Sequence, residues 1–188
     1  MSTPPPIVKK FDYHSVKQIN LQGKRLYEAP DGSKTPSVTT ILSATKDMTG
    51  LNAWKKRVGK EKAMAQQIID NGLVYVDEVW GIEQALYFPK LYSGTTDLVG
   101  VYKGEPAIMD FKQSNKPKKL EYVDDYFMQL TAYRLAHNEV YGTDIKRGVI
   151  FVCTRDEMYQ QFDLDESNYK HWESAWWDKL EEYYELSA

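Results

Sequence analysis

The stretch Gly94–Lys112 constrains the fold of this chain most, because its pattern is that of a β-hairpin. Two strand-like runs, residues 95–102 and 107–112, flank a turn that contains Gly104 and Pro106. The second run is mostly apolar, as expected for an internal strand of a sheet. The sequence therefore predicts a central hairpin around which the other elements pack.

Charged side chains interrupt the apolar pattern of this hairpin. Because side chains alternate across a strand, Asp110 and Lys112 point to the same side as Ile108, and their odd-numbered neighbours point to the other side. Asp97 lies on the preceding strand and can face them across the ladder. Buried charges are costly unless they are paired or bound to a metal, so these three residues need an explanation.

Spacing alone leaves two interpretations of these charges open. In the first, Asp110 and Lys112 form a structural ion pair at a sheet end, and Asp97 is a turn residue. In the second, the two carboxylates and the ammonium group converge to hold a divalent cation and a water molecule beside a phosphodiester.

The motifs around the hairpin, taken in order, favour the second interpretation. A helix predicted over residues 121–141 carries Gln129 and Tyr133 four positions apart, hence on one face. The order Gly-x-x-Asp at residues 94–97, Asp-x-Lys at residues 110–112 and helical Gln-x-x-x-Tyr resembles the PD-(D/E)XK nuclease superfamily in its RecB-like branch. Within that branch, the sequence is similar to the mitochondrial genome maintenance exonucleases and their phage-encoded relatives.

Two further segments are similar to that family. Pro36–Leu42 matches its N-terminal motif, and the aromatic segment His171–Tyr183 matches its C-terminal helix. The resemblance thus covers residues 36–184. It implies an α/β fold with a restriction-endonuclease-like core, in which a mixed central β-sheet is flanked by helices.

The resemblance also implies an activity, a cofactor and a substrate. It implies a divalent-metal-dependent DNA exonuclease that hydrolyses phosphodiester bonds, with Asp97, Asp110 and Lys112 as the catalytic residues. Mg²⁺ or Mn²⁺ would be held by Glu83, Asp97, Asp110 and the main-chain carbonyl of Phe111. The DNA would be single-stranded or have free ends. Two alternatives stay open: a structure-selective endonuclease on the same core, and a catalytically silent module that binds DNA ends.

Several polar residues are candidates for contact with the nucleic acid. Ser37 can cap a helix that runs through Leu42, so its hydroxyl and that of Thr39 either only cap the helix or touch phosphate. A basic loop follows the strand that ends in Lys112. The predicted nucleic-acid-binding residues are Ser37, Thr39, Gln113, Ser114, Lys116, Lys118 and, by resemblance, Gln129 and Tyr133. By spacing alone, the last two belong to a helical stripe that is more often core.

A second basic cluster lies in a helix predicted over residues 51–69. Its cations either form a solvated face or follow the phosphate backbone; they are Lys55, Lys56, Arg57, Lys60 and Lys62. The resembled family has a longer, histidine-bearing helix after this cluster, whereas this sequence has no histidine between His14 and His137. Because no other stretch offers to cover the apolar sheet surface, we expect either an unobserved segment, visible as a chain break near residues 62–67, or a deletion. A continuous backbone there would instead mean a shortened nuclease with a more open site.

Composition limits the organisation and the setting of the chain. Its 188 residues suit one domain, predicted over residues 21–188 as a single nuclease domain after a flexible N-terminal arm, residues 1–20, that contains three consecutive prolines. A monomer is expected. The formal charge is −3, so any attraction to DNA must come from local patches.

The lone Cys153 excludes a disulfide framework and an iron–sulfur cluster built from four cysteines of this chain. No run is apolar enough to span a membrane, and no signal peptide is visible. The expected location is cytoplasmic, which includes a phage-encoded protein acting in its host's cytoplasm, and no membrane partner is expected.

The remaining segments follow common patterns. A small hairpin is predicted around the turn at residues 29–32, and a strand or strand pair over residues 74–87. Residues 148–153 form a buried strand after a helix, as in a crossover unit, and residues 158–164 alternate like an outer strand. An amphipathic helix is predicted over residues 167–186.

Overall fold

A computed structural model describes residues 3–45, 61–156 and 158–188, with the backbone alone at residues 61–64. The strands are β1 (Lys17–Leu21), β2 (Lys24–Glu28), β3 (Lys34–Thr35), β4 (Val76–Phe88), β5 (Tyr92–Tyr102), β6 (Glu105–Ser114), β7 (Arg147–Thr154) and β8 (Tyr159–Leu164). The helices are α1 (Val38–Ala44), α2 (Glu61–Asn71), α3 (Asp124–Tyr141) and α4 (Tyr169–Leu186). Two short 3₁₀ helices, Leu73–Tyr75 and Leu120–Tyr122, precede β4 and α3.

The central sheet has five strands in the order β4-β5-β6-β7-β8. β6 and β7 are parallel and are connected through α3, whereas the other neighbouring pairs are antiparallel. A parallel pair needs such a crossover, which explains why a helix separates these two strands in sequence. The prediction of an α/β fold with a mixed central sheet flanked by helices is confirmed, and the arrangement is consistent with a restriction-endonuclease-like core.

The central hairpin is formed by β5 and β6, as predicted, and both strands are longer than predicted. The placement of Glu105 and Pro106 in the turn is wrong, because they pair with Tyr102 and Val101 as the first residues of β6. Tyr102 pairs with Glu105, so Lys103 and Gly104 make a two-residue turn. Both turn residues have positive φ, 47° and 81°, which is the type I′ geometry that matches the twist of a hairpin. The predicted alternation along β6 is also present, since Ile108 and Met109 are buried in different cores on the two faces of the sheet.

The larger core lies between the sheet and the helices α3 and α4. Its fully buried members include Tyr92 on β5, Leu130 on α3 and Trp176 on α4. The Tyr92 hydroxyl donates a hydrogen bond to the carbonyl of Ala132, 2.8 Å away, which ties β5 to the middle of α3. This contact places the inner face of α3 directly over the charged end of the hairpin.

The other face of the sheet is covered by α2. Ile68 of this helix is buried in a second core with Met109, Val149 and Phe151. The expectation of a chain break near residues 62–67 is wrong, because α2 is continuous over Glu61–Asn71. The related expectation that nothing would cover this sheet surface is also wrong, because α2 supplies the cover. The cations predicted at residues 55–60, and the side chain of Lys62, lie outside the described residues.

A small three-stranded sheet, β1-β2-β3, contains the predicted hairpin as β2 and β3. β1 was not predicted, and it begins inside the segment expected to be a flexible arm. Before it, the segment around Ile7 pairs with Val79 of β4: the Val8 N–H donates to the Val79 carbonyl at 2.8 Å, and the Val79 N–H donates to the Pro6 carbonyl at 2.9 Å. The flexibility of residues 1–20 stays a prediction. None of the described helices has the length and apolarity needed to cross a membrane.

Candidate active site

The site begins where the β5–β6 ladder ends. The last regular pair in the direction of the site is Leu98 with Met109. Beyond it, the N–H of Phe111 donates to Oδ2 of Asp97 at 2.8 Å, and the N–H of Asp97 donates to Oδ1 of Asp110 at 3.4 Å. Side-chain carboxylates thus replace main-chain carbonyls as acceptors, which satisfies the backbone and holds the two acids next to each other.

Lys112 completes the charged cluster. Its Nζ lies 2.5 Å from Oδ2 of Asp110, whose side chain is 4% exposed, and Lys112 itself is 22% exposed. Nζ also lies 5.2 Å from the ring centroid of Tyr126, within range of a cation–π contact. The structure therefore brings Asp97, Asp110 and Lys112 together on the face predicted from their alternation.

Burial dominates the electrostatics of Asp110. Desolvation raises the pKa of its carboxyl group to about 6, although Lys112 opposes the shift; Asp97 adds to it by charge repulsion. Two carboxylates and one ammonium group leave a net negative charge at this point. Adjacent hard oxygen ligands with excess negative charge fit Mg²⁺ or Mn²⁺, and a bound divalent cation would favour the ionised form of Asp110.

Gln129 and Tyr133 extend the cluster from α3. Lys112 can only donate, so Oε1 of Gln129 accepts from Nζ at 2.9 Å, and Nε2 of Gln129 donates to the Tyr133 hydroxyl at 2.9 Å. Burial raises the pKa of Tyr133 well above its usual value, and the charge of Asp110 adds to the effect, so the phenol stays neutral. Gln129 therefore contacts Lys112, and Tyr133 contacts Gln129. The contact of this pair with nucleic acid stays a prediction.

Gly94 explains how Tyr133 reaches this position. A Cβ atom on Gly94 would lie 2.5 Å from Cε1 of Tyr133, closer than real Cβ contacts allow. The missing side chain lets the buried ring of α3 lie against β5, three residues before Asp97. The Gly-x-x-Asp motif thus needs a glycine at position 94 for a steric reason, which spacing alone did not reveal.

Glu83 is not part of the charged cluster. It lies on β4 between the pairs Ile82–Leu98 and Gln84–Thr96, hence beside Asp97, but its side chain is exposed and its φ is +46°, unusual for a residue with a side chain. Across the residues that the structure describes, no three His, Cys, Asp or Glu side chains gather into a group able to hold a metal. The role of Glu83 and of the Phe111 carbonyl as ligands stays a prediction.

A cleft of about 1010 Å³ leads to Lys112 between α1, α2, β6 and α3. Of the predicted nucleic-acid-binding residues, those that line it are Thr39, Gln113, Lys118 and Gln129. The backbone of Lys118 is held by the Gln160 side chain, which accepts from its N–H at 2.6 Å and donates to its carbonyl at 2.9 Å. In the same loop the Ser114 hydroxyl donates to the carbonyl of Lys116 at 2.7 Å, and the Lys116 side chain is exposed.

Ser37 acts as the cap of α1. Its buried Oγ accepts from the N–H of Thr40 at 3.0 Å, whereas Thr39 is exposed at the cleft. Arg25 of β2 donates to both hydroxyl groups, at 3.3 Å to Ser37 and 3.2 Å to Thr39. Sequence reasoning missed Arg25, because strand pairing, and not spacing, brings it to α1.

Comparison with known proteins finds relatives that are named as exonucleases. No protein-family model matches the sequence. The mouse protein named mitochondrial genome maintenance exonuclease 1 is 31% identical over 175 residues, which cover 89% of this chain and 47% of that protein. The human protein of the same name is 29% identical over 173 residues, or 89% of this chain and 46% of that protein.

Among solved structures, one titled as the crystal structure of SSO0001 gives a TM-score of 0.33 and 16% identity over 49% of this chain and 47% of that one. The chain spans about half the length of the curated relatives it matches. Over 89% of its own length, it is similar to proteins named as exonucleases of mitochondrial genome maintenance.

Proposed function

We propose that this protein is a divalent-metal-dependent DNA exonuclease of the RecB-like PD-(D/E)XK type, which prefers single-stranded DNA or free ends. The observation that carries the proposal is the meeting of Asp97, Asp110 and Lys112 at the end of the β5–β6 ladder, beside a cleft. The relatives at about 30% identity support it, because they are named as exonucleases.

The carboxylates of Asp97 and Asp110 would hold Mg²⁺ or Mn²⁺, together with the Phe111 carbonyl and Glu83. A cation held there would lower the pKa of a water and neutralise charge on the phosphoryl group. In the proposed hydrolysis the water oxygen forms a new P–O bond while the P–O bond to the leaving sugar oxygen breaks; the water releases a proton to solvent, and the leaving oxygen takes one up from solvent.

Lys112 contributes hydrogen-bond donors to this reaction. Its ammonium group is fixed between Asp110 and Gln129, at 2.5 Å and 2.9 Å, so it points into the site in one orientation. A fixed donor stabilises the negative charge that develops on a phosphate oxygen. Gln129, which lines the cleft, maintains that orientation and contacts the strand near the scissile phosphate, and the buried Tyr133 holds Gln129 in place.

The remaining contacts would follow the phosphate backbone. Lys118, Gln113 and Thr39 lie along the cleft, and Lys116 and Ser114 lie on the adjoining loop. Ser37 acts through Thr39, with which it shares a hydrogen bond of 3.0 Å. We extend the proposal to a single nuclease domain over residues 21–188 that acts as a cytoplasmic monomer, phage-encoded or cellular, without an iron–sulfur cluster or a membrane partner.

The test uses end-labelled linear and circular DNA, single- and double-stranded, with Mg²⁺ or with EDTA. We expect nucleotides to be released from linear single strands only with Mg²⁺, and covalently closed duplex to resist. The substitutions Asp97→Asn, Asp110→Ala and Lys112→Ala should each reduce turnover by about a hundredfold or more. Full activity of Asp110→Ala would overturn the site assignment. Cleavage of closed circles would favour the endonuclease alternative. Binding without cleavage would favour the silent end-binding module.

A further inference from the structure

The walls of the cleft beside Lys112 are mostly apolar. Its walls include Leu42 of α1, Ile68 of α2, Phe111 of β6, and the rings of Tyr122 and Tyr126. Apolar surface left open to solvent in a soluble protein commonly marks a binding site. Its volume, about 1010 Å³, reaches the upper end of pockets that enclose organic ligands, about 300–1,000 Å³.

Tyr122 is the most exposed aromatic ring of these walls. It is 65% exposed at the end of the 3₁₀ helix Leu120–Tyr122, although a ring of this size gains free energy by burial. Its backbone is fixed: the N–H of Tyr122 donates to the Lys119 carbonyl at 2.9 Å, and the next residue, Val123, is fully buried. Tyr122 therefore lines the cleft from a hydrogen-bonded turn.

The charges of the cleft indicate what lies against that face. Two lysines, Lys112 and Lys118, and one acid, Asp125, line the same space, and the backbone of Lys118 is anchored to β8 through Gln160. A ligand that places an anionic group near the lysines and a flat apolar group on Tyr122 is complementary to both. A nucleotide has this combination, and Lys112 connects the cleft to the carboxylates that would act on its phosphate.

We propose that this cleft binds an unpaired nucleobase of the DNA strand whose phosphate lies at Asp97 and Asp110, and that Tyr122 is the stacking platform. The inference rests on the proposed function, because DNA is the substrate. In a duplex, the faces of the bases are already stacked, so only an unpaired nucleotide can enter. Stacking uses the ring face that all bases share, so the subsite accepts any base.

The test measures binding in EDTA, so that cleavage does not interfere. The probe is a short fluorescent single strand, with a series of otherwise identical strands that each lack one base at successive positions. We expect removal of the base at one position to weaken binding by about tenfold. Tyr122→Ala should weaken binding of the intact strand by a similar factor and add no further loss on the strand that lacks the critical base.

Two further variants give the matched controls. Tyr122→Phe keeps the ring and should bind like the unchanged protein. Tyr75→Ala removes another exposed tyrosine, 48% exposed beside the Lys103–Gly104 turn at the far end of the hairpin, and should leave binding unchanged. Circular dichroism of Tyr122→Ala verifies folding, and if that variant misfolds, the abasic series on the unchanged protein still tests the proposal.

The outcomes separate the subsite from the activity. Equal binding of every abasic strand, or unchanged binding by a folded Tyr122→Ala, would overturn the base subsite and leave the cleft to a different occupant. Equal affinity for closed duplex would overturn it as well. Base-dependent binding without hydrolysis in Mg²⁺ would support the subsite and contradict the proposed exonuclease function.

Discussion

At the scale of single residues, the burial of Asp110 builds the site but lowers the stability of the fold at neutral pH. Burial raises the pKa of its carboxyl group from 3.8 to about 6. The folded state therefore binds this proton more tightly than the unfolded state. Below about pH 4, Asp110 is protonated in both states, so folding carries no cost for its ionisation. Above about pH 6 this cost is fully present. The free energy of unfolding therefore falls as pH rises from about 4 to about 6.

This sign predicts a pH-dependent effect of the metal. Mg²⁺ should raise the melting temperature more at about pH 7.5 than at about pH 5, because at the lower pH it competes with the Asp110 proton. In EDTA, the stability of Asp110→Asn relative to the unchanged protein should increase by about 1–1.5 kcal/mol as pH rises from about 5 to about 7.5. Thermal unfolding in both buffers measures these effects. Equal Mg²⁺ shifts at both pH values, or an undiminished shift in Asp110→Asn, would contradict the assignment.

Gly94 allows a second test at this scale. Gly94→Ala should destabilise the protein by about 1–3 kcal/mol and reduce activity, because the new methyl group displaces Tyr133 and with it the Gln129–Lys112 contact. Tyr133→Leu, which removes the obstructing ring, should make the additional effect of Gly94→Ala on stability smaller. Urea unfolding and nuclease assays measure both. Thr95→Ala, at the exposed neighbouring position, is the control, and a comparable loss there would argue against steric displacement.

At the scale of elements, the features that could be predicted from the sequence are those set by local patterns of residues. The β5–β6 hairpin follows from alternation and turn residues, and the face shared by Asp110 and Lys112 follows from the period of a strand. β1 was missed because its residues are almost all exposed, so pairing with β2, and no apolar pattern, defines it. The contact of Arg25 with Thr39 and the cover by α2 depend on which elements pack together, and sequence spacing does not carry that information.

The cover provided by α2 leads to a comparison of two adjacent isoleucines. Ile68 is 8% exposed and packs in the core with Phe151, whereas Ile69 is 40% exposed. Ile68→Ala should lower the free energy of unfolding by about 2–4 kcal/mol, and Ile69→Ala by less than about 1 kcal/mol. Urea unfolding of the two variants measures the difference. Similar losses would mean that α2 does not pack on β7 through Ile68.

At the scale of the whole molecule, the net charge of the chain is opposite in sign to that of the two lysines that line the cleft. The chain carries −3 overall, yet Lys112 and Lys118 line the cleft beside the carboxylates. Long-range attraction of DNA to the protein as a whole is therefore weak. Under the proposed function, affinity for DNA would come from phosphates that reach local cations such as these lysines, and it should weaken as salt rises, since neutralised phosphates release counterions.

The salt dependence predicts the contribution of Lys118. For a short single strand, Lys118→Ala should reduce the slope of log affinity against log salt by about 0.7, the value for one phosphate contact on single-stranded DNA. Lys103→Ala removes a cation at the distant hairpin turn and should leave the slope unchanged. Fluorescence anisotropy at several salt concentrations measures both slopes. An unchanged slope in Lys118→Ala would exclude that lysine from the phosphate path.

The hydrogen bond from the Phe111 N–H to Asp97 affects how an inactive form of the protein should be made. Alanine at position 97 would remove the charge and also strip a main-chain donor of its acceptor, so lost activity would be confounded with a local rearrangement of β6. Asparagine retains a carbonyl oxygen for that donor and removes only the charge. Asp97→Asn is therefore the variant suited to trapping an uncleaved strand for structure determination.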